Sequence, residues 1–125
     1  MSVVVDTSGW IEWLTDGALA DRFEPFLTQP ESVVVPTVVQ YELHRWICRE
    51  RDEPTALEII GATEQGTVVP LDTSLALLAS DLAAHHRLAM ADAIVYATAQ
   101  QARVDLVTCD AHFKDLPGVR FFEKV

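Results

Sequence analysis

Short runs of β-branched residues alternate with helix-period segments along all 125 residues, and this alternation predicts an α/β fold. The runs are continuously apolar rather than alternating, the pattern of parallel strands covered on both faces. The expected architecture is three-layered, with a central, mainly parallel sheet of four to five strands flanked by helices. No linker, internal repeat or low-complexity segment interrupts the pattern, so residues 1–125 are expected to form a single domain.

Taken in order, "SVVV" (Ser2 to Val5) is the first strand. "TSGWIEWL" starts a helix that Thr7 or Ser8 can cap. Ala18 to Leu27 carries Leu19, Phe23 and Phe26 or Leu27 at helical spacing, and Pro25 must bend or end that helix. "SVVVP" (Ser32 to Pro36) is a second buried strand. Pro36 and Thr37 open a long helix through about Arg51, a place where proline's missing N–H costs nothing. Glu53 to Ala62 is a short helix, and Gly66 to Leu71 is a third strand stopped by Pro70. Asp72 or Thr73 caps the helix that follows, with Leu75, Leu78, Ala79 and Leu82 on one face and His85 and His86 at its carbonyl end. Ala91 to Ala102 is an alanine-rich helix suited to close packing. Val104 to Thr108 is the fourth strand, and Val119 to Phe122, after the Pro117–Gly118 turn, is an edge fifth.

The composition, 50% apolar and 22% charged, is that of a globular protein. No apolar run reaches the roughly 18 residues of a membrane span, and the N-terminus has no signal-peptide pattern. Cys48 and Cys109 lack CxxC spacing and suit reduced thiols, which points to a cytoplasmic protein. The net charge of −10 is unusual for a nucleic-acid binder, whose affinity comes mostly from basic residues. Either the partners are cationic, or some carboxylates crowd into a site neutralised by a divalent metal.

Strand C-terminal ends share one edge of a parallel sheet, and ligands bind along it. Asp6 follows the first strand and Asp110 the fourth. Glu42 lies about a turn and a half into the helix after the second strand. Asp92 opens the alanine-rich helix, which runs antiparallel to the sheet and so begins at the same edge. Four carboxylates gathered there would repel, and at least one would take up a proton unless a cation were present. Carboxylate oxygens suit Mg²⁺ or Mn²⁺; His85, His86 and Cys109 have no zinc spacing. Such a centre handles phosphates.

"VVVDTSGWIEWL", "VPTVVQYEL", "LAMADAIVYATA" and "LVTCDAHFKDLPGVR" resemble, nearly end to end and in order, the four acidic motifs of the PIN domain, especially the VapC-type toxins of bacterial toxin–antitoxin pairs. The motifs are weak singly and strong together. The resemblance implies an endoribonuclease dependent on Mg²⁺ or Mn²⁺, one or two ions per site, that leaves a 5′-phosphate and a 3′-hydroxyl. Matched motif by motif, Asp6, Glu42, Asp92 and Asp110 are the acidic site, with Asp6 and Asp92 the first choices for direct ligands. Thr7, Ser8 and Thr108 would orient carboxylates or waters. It also implies a homodimer and a cognate VapB-like antitoxin. Many relatives are more basic; with only 9 Lys plus Arg, this chain's grip on RNA should rest on the metal and a few arginines.

Each residue also has an ordinary reading. Asp6 alone could be a helix cap, Glu42 a solvated acid, Asp92 a partner of the helix dipole and Asp110 a loop acid. Asp72 reads as a cap and Asp115 as a solvated loop acid. Arg45 and Arg49, a turn apart, could hold RNA phosphates or pair with surface acids; Arg87 is similar. Trp10, Trp13 and Trp46 suit core or interface anchors better than base stacking. His112 suits a packing or loop role better than that of a general base. The surface around Trp10, Trp13, Phe23 and Phe26 is expected to offer a groove for a cationic, amphipathic antitoxin segment.

The alternative to a nuclease is a catalytically weak or inactive binding module of the same fold. An aspartyl phosphatase fits less well, because "DTSGW" lacks the second aspartate of a DxD motif. A receiver domain lacks the lysine its chemistry wants after the fourth strand.

Overall fold

The computed structural model describes residues 2–124. Five strands, β1 (Val3–Val5), β2 (Val33–Pro36), β3 (Thr67–Val69), β4 (Asp105–Thr108) and β5 (Val119–Phe121), form one sheet. Their order is β3-β2-β1-β4-β5, and every pairing is parallel. The expected sheet is therefore present, with five strands, and Val119–Phe121 is its edge. Six helices surround it: α1 (Thr7–Leu14), α2 (Ala20–Leu27), α3 (Thr37–Glu50), α4 (Glu53–Thr63), α5 (Thr73–His86) and α6 (Met90–Ala102). No helix among the described residues is long and apolar enough to cross a membrane.

Sequence dictates which strands lie innermost. Every residue of β1 and β2 is buried, because valines pointing to both faces must each be covered by helices. β3 and β5 are only partly covered and stand at the edges. The alanine-rich α6 has seven consecutive buried residues, Ala93 to Ala99. Its small side chains let it lie close against β1, β2 and β4 and against α3 and α5. Leu75 and Ala79 of α5 meet Ala93, Ile94 and Ala97 in a smaller apolar cluster.

Helix ends follow their capping residues. Asp72 and Asp52 accept the Leu75 and Thr55 amides at 2.8 and 2.7 Å, as Asp72 was expected to do. At α1 the expectation fails: the cap is Asp6, whose carboxylate accepts from the Gly9 amide, while Thr7 and Ser8 already lie within the helix and turn their hydroxyls elsewhere. Pro25 sits inside α2, which stops two residues later at Leu27. Pro36 closes β2 and caps α3 rather than entering it. Glu12, buried on α1, accepts the Leu19 amide at 3.0 Å and pairs with Lys124 at 3.3 Å; the Leu19 hydrogen bond holds its carboxyl below the usual range.

The aromatics lie deeper than the expected groove requires. Trp10 is 5% exposed and Phe23 fully buried, because α1 and α2 pack together and against the core through these side chains. Trp13 and Phe26 are partly covered at its margin.

Gly9 permits this packing. A Cβ there would lie 2.6 Å from Phe23 Cε1 and 2.7 Å from Val5 Cγ1, and both neighbours are fully buried. Gly9→Ala should therefore destabilise the fold by about 1–3 kcal/mol through overpacking. The check is a lowered urea midpoint at constant slope; an unchanged midpoint would contradict the packing.

Candidate metal centre

β1 and β4 are neighbours, with Val5 opposite Val107, so the residues following these strands emerge side by side. The Asp6 amide continues the ladder by donating to the Val107 carbonyl at 3.3 Å. Asp6 is 4% exposed although it ends a strand. Burial pushes its carboxyl up to about 7, with the Asp110 charge adding to the rise; hydrogen bonds from Ser8, Thr108 and the Gly9 amide oppose it. The Ser8 hydroxyl donates to Asp6 Oδ1 at 2.7 Å.

Asp110 lies two residues past β4 and caps a 3-10 turn, Ala111–Phe113. Its amide donates to Thr108 Oγ1 at 2.9 Å, and Thr108 Oγ1 lies 3.4 Å from the Ser8 hydroxyl. Ser8 and Thr108 thus link the two aspartates. Asp92, in the first turn of α6, faces the same point. Burial raises its carboxyl, and Asp110 raises it further, against the lowering influence of His112. Glu42 stands at the margin, its Oε1 accepting from the Thr7 hydroxyl at 2.6 Å. Asp110 is therefore an electrostatic neighbour of both Asp6 and Asp92, and Glu42 is joined to Asp6 through Thr7, the residue that follows it.

One participant escaped the sequence reading. His112 does lie in the loop after β4, but its Nδ1 is 3.0 Å from Asp92 Oδ2 and 3.4 Å from Asp110 Oδ1. Asp92, Asp110 and His112 each offer a donor atom, all within 4.8 Å of one another. Asp6, a first choice for a direct ligand, falls outside this tightest group. The only sequence signal for His112 is its place two residues after a strand-end aspartate, where an Asp-capped turn returns the chain toward the cap.

The arginines are dispersed. Arg45 and Arg49 line a cleft of about 320 Å³ beside Thr7, Tyr41 and Glu42, and Arg49 pairs with Glu50 at 3.3 Å. Arg87 ends α5 in a left-handed conformation; among the described residues no hydrogen bond or ion pair ties it to the acids. Asp115 is exposed, as expected.

The donors are hard carboxylate oxygens with one imidazole, a set that fits Mg²⁺ or Mn²⁺. The raised Asp6 and Asp92 carboxyls mark a place where negative charge is under-compensated by protein groups, which a divalent cation would correct.

A family model described as PIN domain matches residues 3–119. Comparison with curated proteins gives no match. Among solved structures, a toxin–antitoxin complex from Klebsiella pneumoniae is similar, with TM-score 0.81 and 22% identity over 98% of this chain and 100% of that one. A DNA-bound VapBC from Salmonella typhimurium gives 0.73 and 16%, over 98% of each chain. Mycobacterium tuberculosis VapC20, a Sarcin-Ricin loop cleaving toxin, gives 0.71 and 18%, over 90% of this chain and 92% of that one. At these identities the likeness is one of fold.

The raised Asp6 carboxyl has a consequence for stability. Between its ordinary value of 3.8 and about 7, the folded chain holds a proton that the unfolded chain has released. Stability from this group is therefore complete below the unfolded value and is lost as pH rises through the folded one; Asp92 acts in the same direction. In EDTA, the melting temperature should fall between about pH 4 and pH 7, and Asp6→Asn should flatten that fall and melt higher at neutral pH. A variant with the same pH slope as the parent would contradict the burial argument.

Proposed function

The chain belongs to the PIN domain family, and on that premise we propose that it is a Mg²⁺- or Mn²⁺-dependent endoribonuclease, the toxin of a type II toxin–antitoxin pair. The observation that carries this reading is the buried Asp6 carboxylate beside Asp110, with Asp92 facing Asp110 from the first turn of α6. Asp6, Asp92 and Asp110 would hold the cation, with Glu42 at its margin. When bound, a divalent ion there supplies positive charge for the phosphodiester and acidifies water.

The chain's own groups do the positioning. Ser8 orients the Asp6 carboxylate and Thr108 holds the backbone amide of Asp110. Thr7 fixes Glu42 Oε1 and leaves Oε2 to accept a proton from water or to orient it. Arg45 and Arg49, along the cleft that begins at Glu42, would take phosphates flanking the scissile bond, and the 62% exposed Tyr41 would stack on a base. With so few cations, binding should depend on these contacts and the metal.

The antitoxin partner is supported by the toxin–antitoxin complexes among the structural neighbours and by the net charge of −10. Its amphipathic, basic segment would enter a hollow of about 600 Å³ between α1, α3 and α4, where Leu14, Trp46, Ile47 and Ile59 supply apolar walls and Asp16 and Glu50 outnumber the one cation, Arg51. This replaces the groove expected at Trp10 and Phe23. The exposed Leu71 and Met90 beside a second apolar hollow support a homodimer.

Purified protein should cleave a structured RNA only with Mg²⁺ or Mn²⁺, and Asp6→Asn should reduce the rate by about a hundredfold or more without loss of helical signal. Equal cleavage in EDTA, or full activity in the variant, would contradict the assignment.

A further inference from the structure

We propose that His112 supplies a nitrogen ligand to the divalent cation, making the centre a mixed imidazole–carboxylate site rather than one of oxygen donors alone. This rests on the functional reading above, in which Asp92 and Asp110 hold a cation.

The donor atoms stand close to the spacing of a coordination sphere. Around a hard divalent ion at about 2.1 Å, adjacent octahedral donors are about 3 Å apart and opposite ones about 4 Å. His112 Nδ1 stands 3.0 Å from Asp92 Oδ2 and 3.4 Å from Asp110 Oδ1, and one donor atom from each residue falls within 4.8 Å of the others. The three can therefore meet one ion with small rotations.

The backbone holds the imidazole in place. Its own amide donates to Asp110 Oδ1 at 2.9 Å, so Asp110 fixes the turn that carries the imidazole. The next residue, Phe113, is fully buried and anchors the turn in the core. His112 itself is 73% exposed, so its ring can swing into coordination without repacking anything. The main chain on both sides is already set, so ligation has only the side-chain rotation of His112 to fix. An imidazole is softer than a carboxylate, and its presence shifts preference from Mg²⁺ toward Mn²⁺.

The competing account makes His112 an internal counter-charge that the ion must displace. The two accounts differ in sign. The test loads full-length protein with Mn²⁺ and measures affinity by titration calorimetry, together with ¹⁴N coupling to the bound Mn²⁺ by pulsed electron paramagnetic resonance. Wild type should show directly coordinated nitrogen. His112→Gln should lose that coupling and bind Mn²⁺ about tenfold more weakly, with a smaller loss for Mg²⁺. His112→Lys, which keeps a cationic side chain near the aspartates but cannot ligate in that manner, should weaken binding at least as much. Mn²⁺ bound without nitrogen coupling, or bound equally or more tightly by His112→Gln, would overturn the proposal and leave the carboxylate site standing. Wild type that binds no Mn²⁺ would overturn both the proposal and the functional reading beneath it.

Discussion

A carboxylate held inside the molecule is costly unless something compensates its charge, and Asp6 is such a group. It follows the central strand of a five-stranded sheet, so it cannot reach water without disturbing the core that Val3, Val4 and Val5 build. Hydroxyls from Ser8 and Thr108 and the Gly9 amide offset part of the cost. Asp110 adds to it, and Asp110 likewise raises the carboxyl of the half-buried Asp92 on its other side. What remains is a deficit of positive charge at one point on the sheet edge, and the proposed chemistry depends on that deficit.

Topology places the deficit there. From β1 the sheet grows one way to β2 and β3, and the other way to β4 and β5. Chains leaving β1 and β4 therefore diverge, opening a crevice between the C-terminal ends of adjacent strands, where parallel sheets bind ligands. Asp6 and Asp110 are the residues at its two lips. α6 must run antiparallel to the strands to feed β4, so its first turn brings Asp92 to the same crevice. The close packing that its alanines allow brings that turn near enough for Asp92 to feel both Asp110 and His112.

Much of this was legible because it depends on local pattern and on chain direction. Continuous valine runs marked the covered strands, Asp72 marked a helix start, and the direction of α6 placed Asp92 at the sheet edge without any knowledge of side-chain geometry. Features set by tertiary contact were less visible. Thr7 and Ser8 looked like caps because capping preference is local, but in the fold their hydroxyls serve Glu42 and Asp6, and Asp6 takes over the cap. Trp10 and Phe23 looked available to a partner, yet α1 packs on α2 through them. His112 was invisible as a site residue because its importance comes from Asp92, twenty positions away, meeting it across the crevice.

Anomalous diffraction from crystals soaked in Mn²⁺ tests the central claim most directly, since it locates the ion without reference to activity. A peak between the carboxylates of Asp6, Asp92 and Asp110, within coordinating distance of at least two of them, is the predicted result. Density only at solvent-exposed acids elsewhere, with the three aspartates in the crevice still bare, would contradict it.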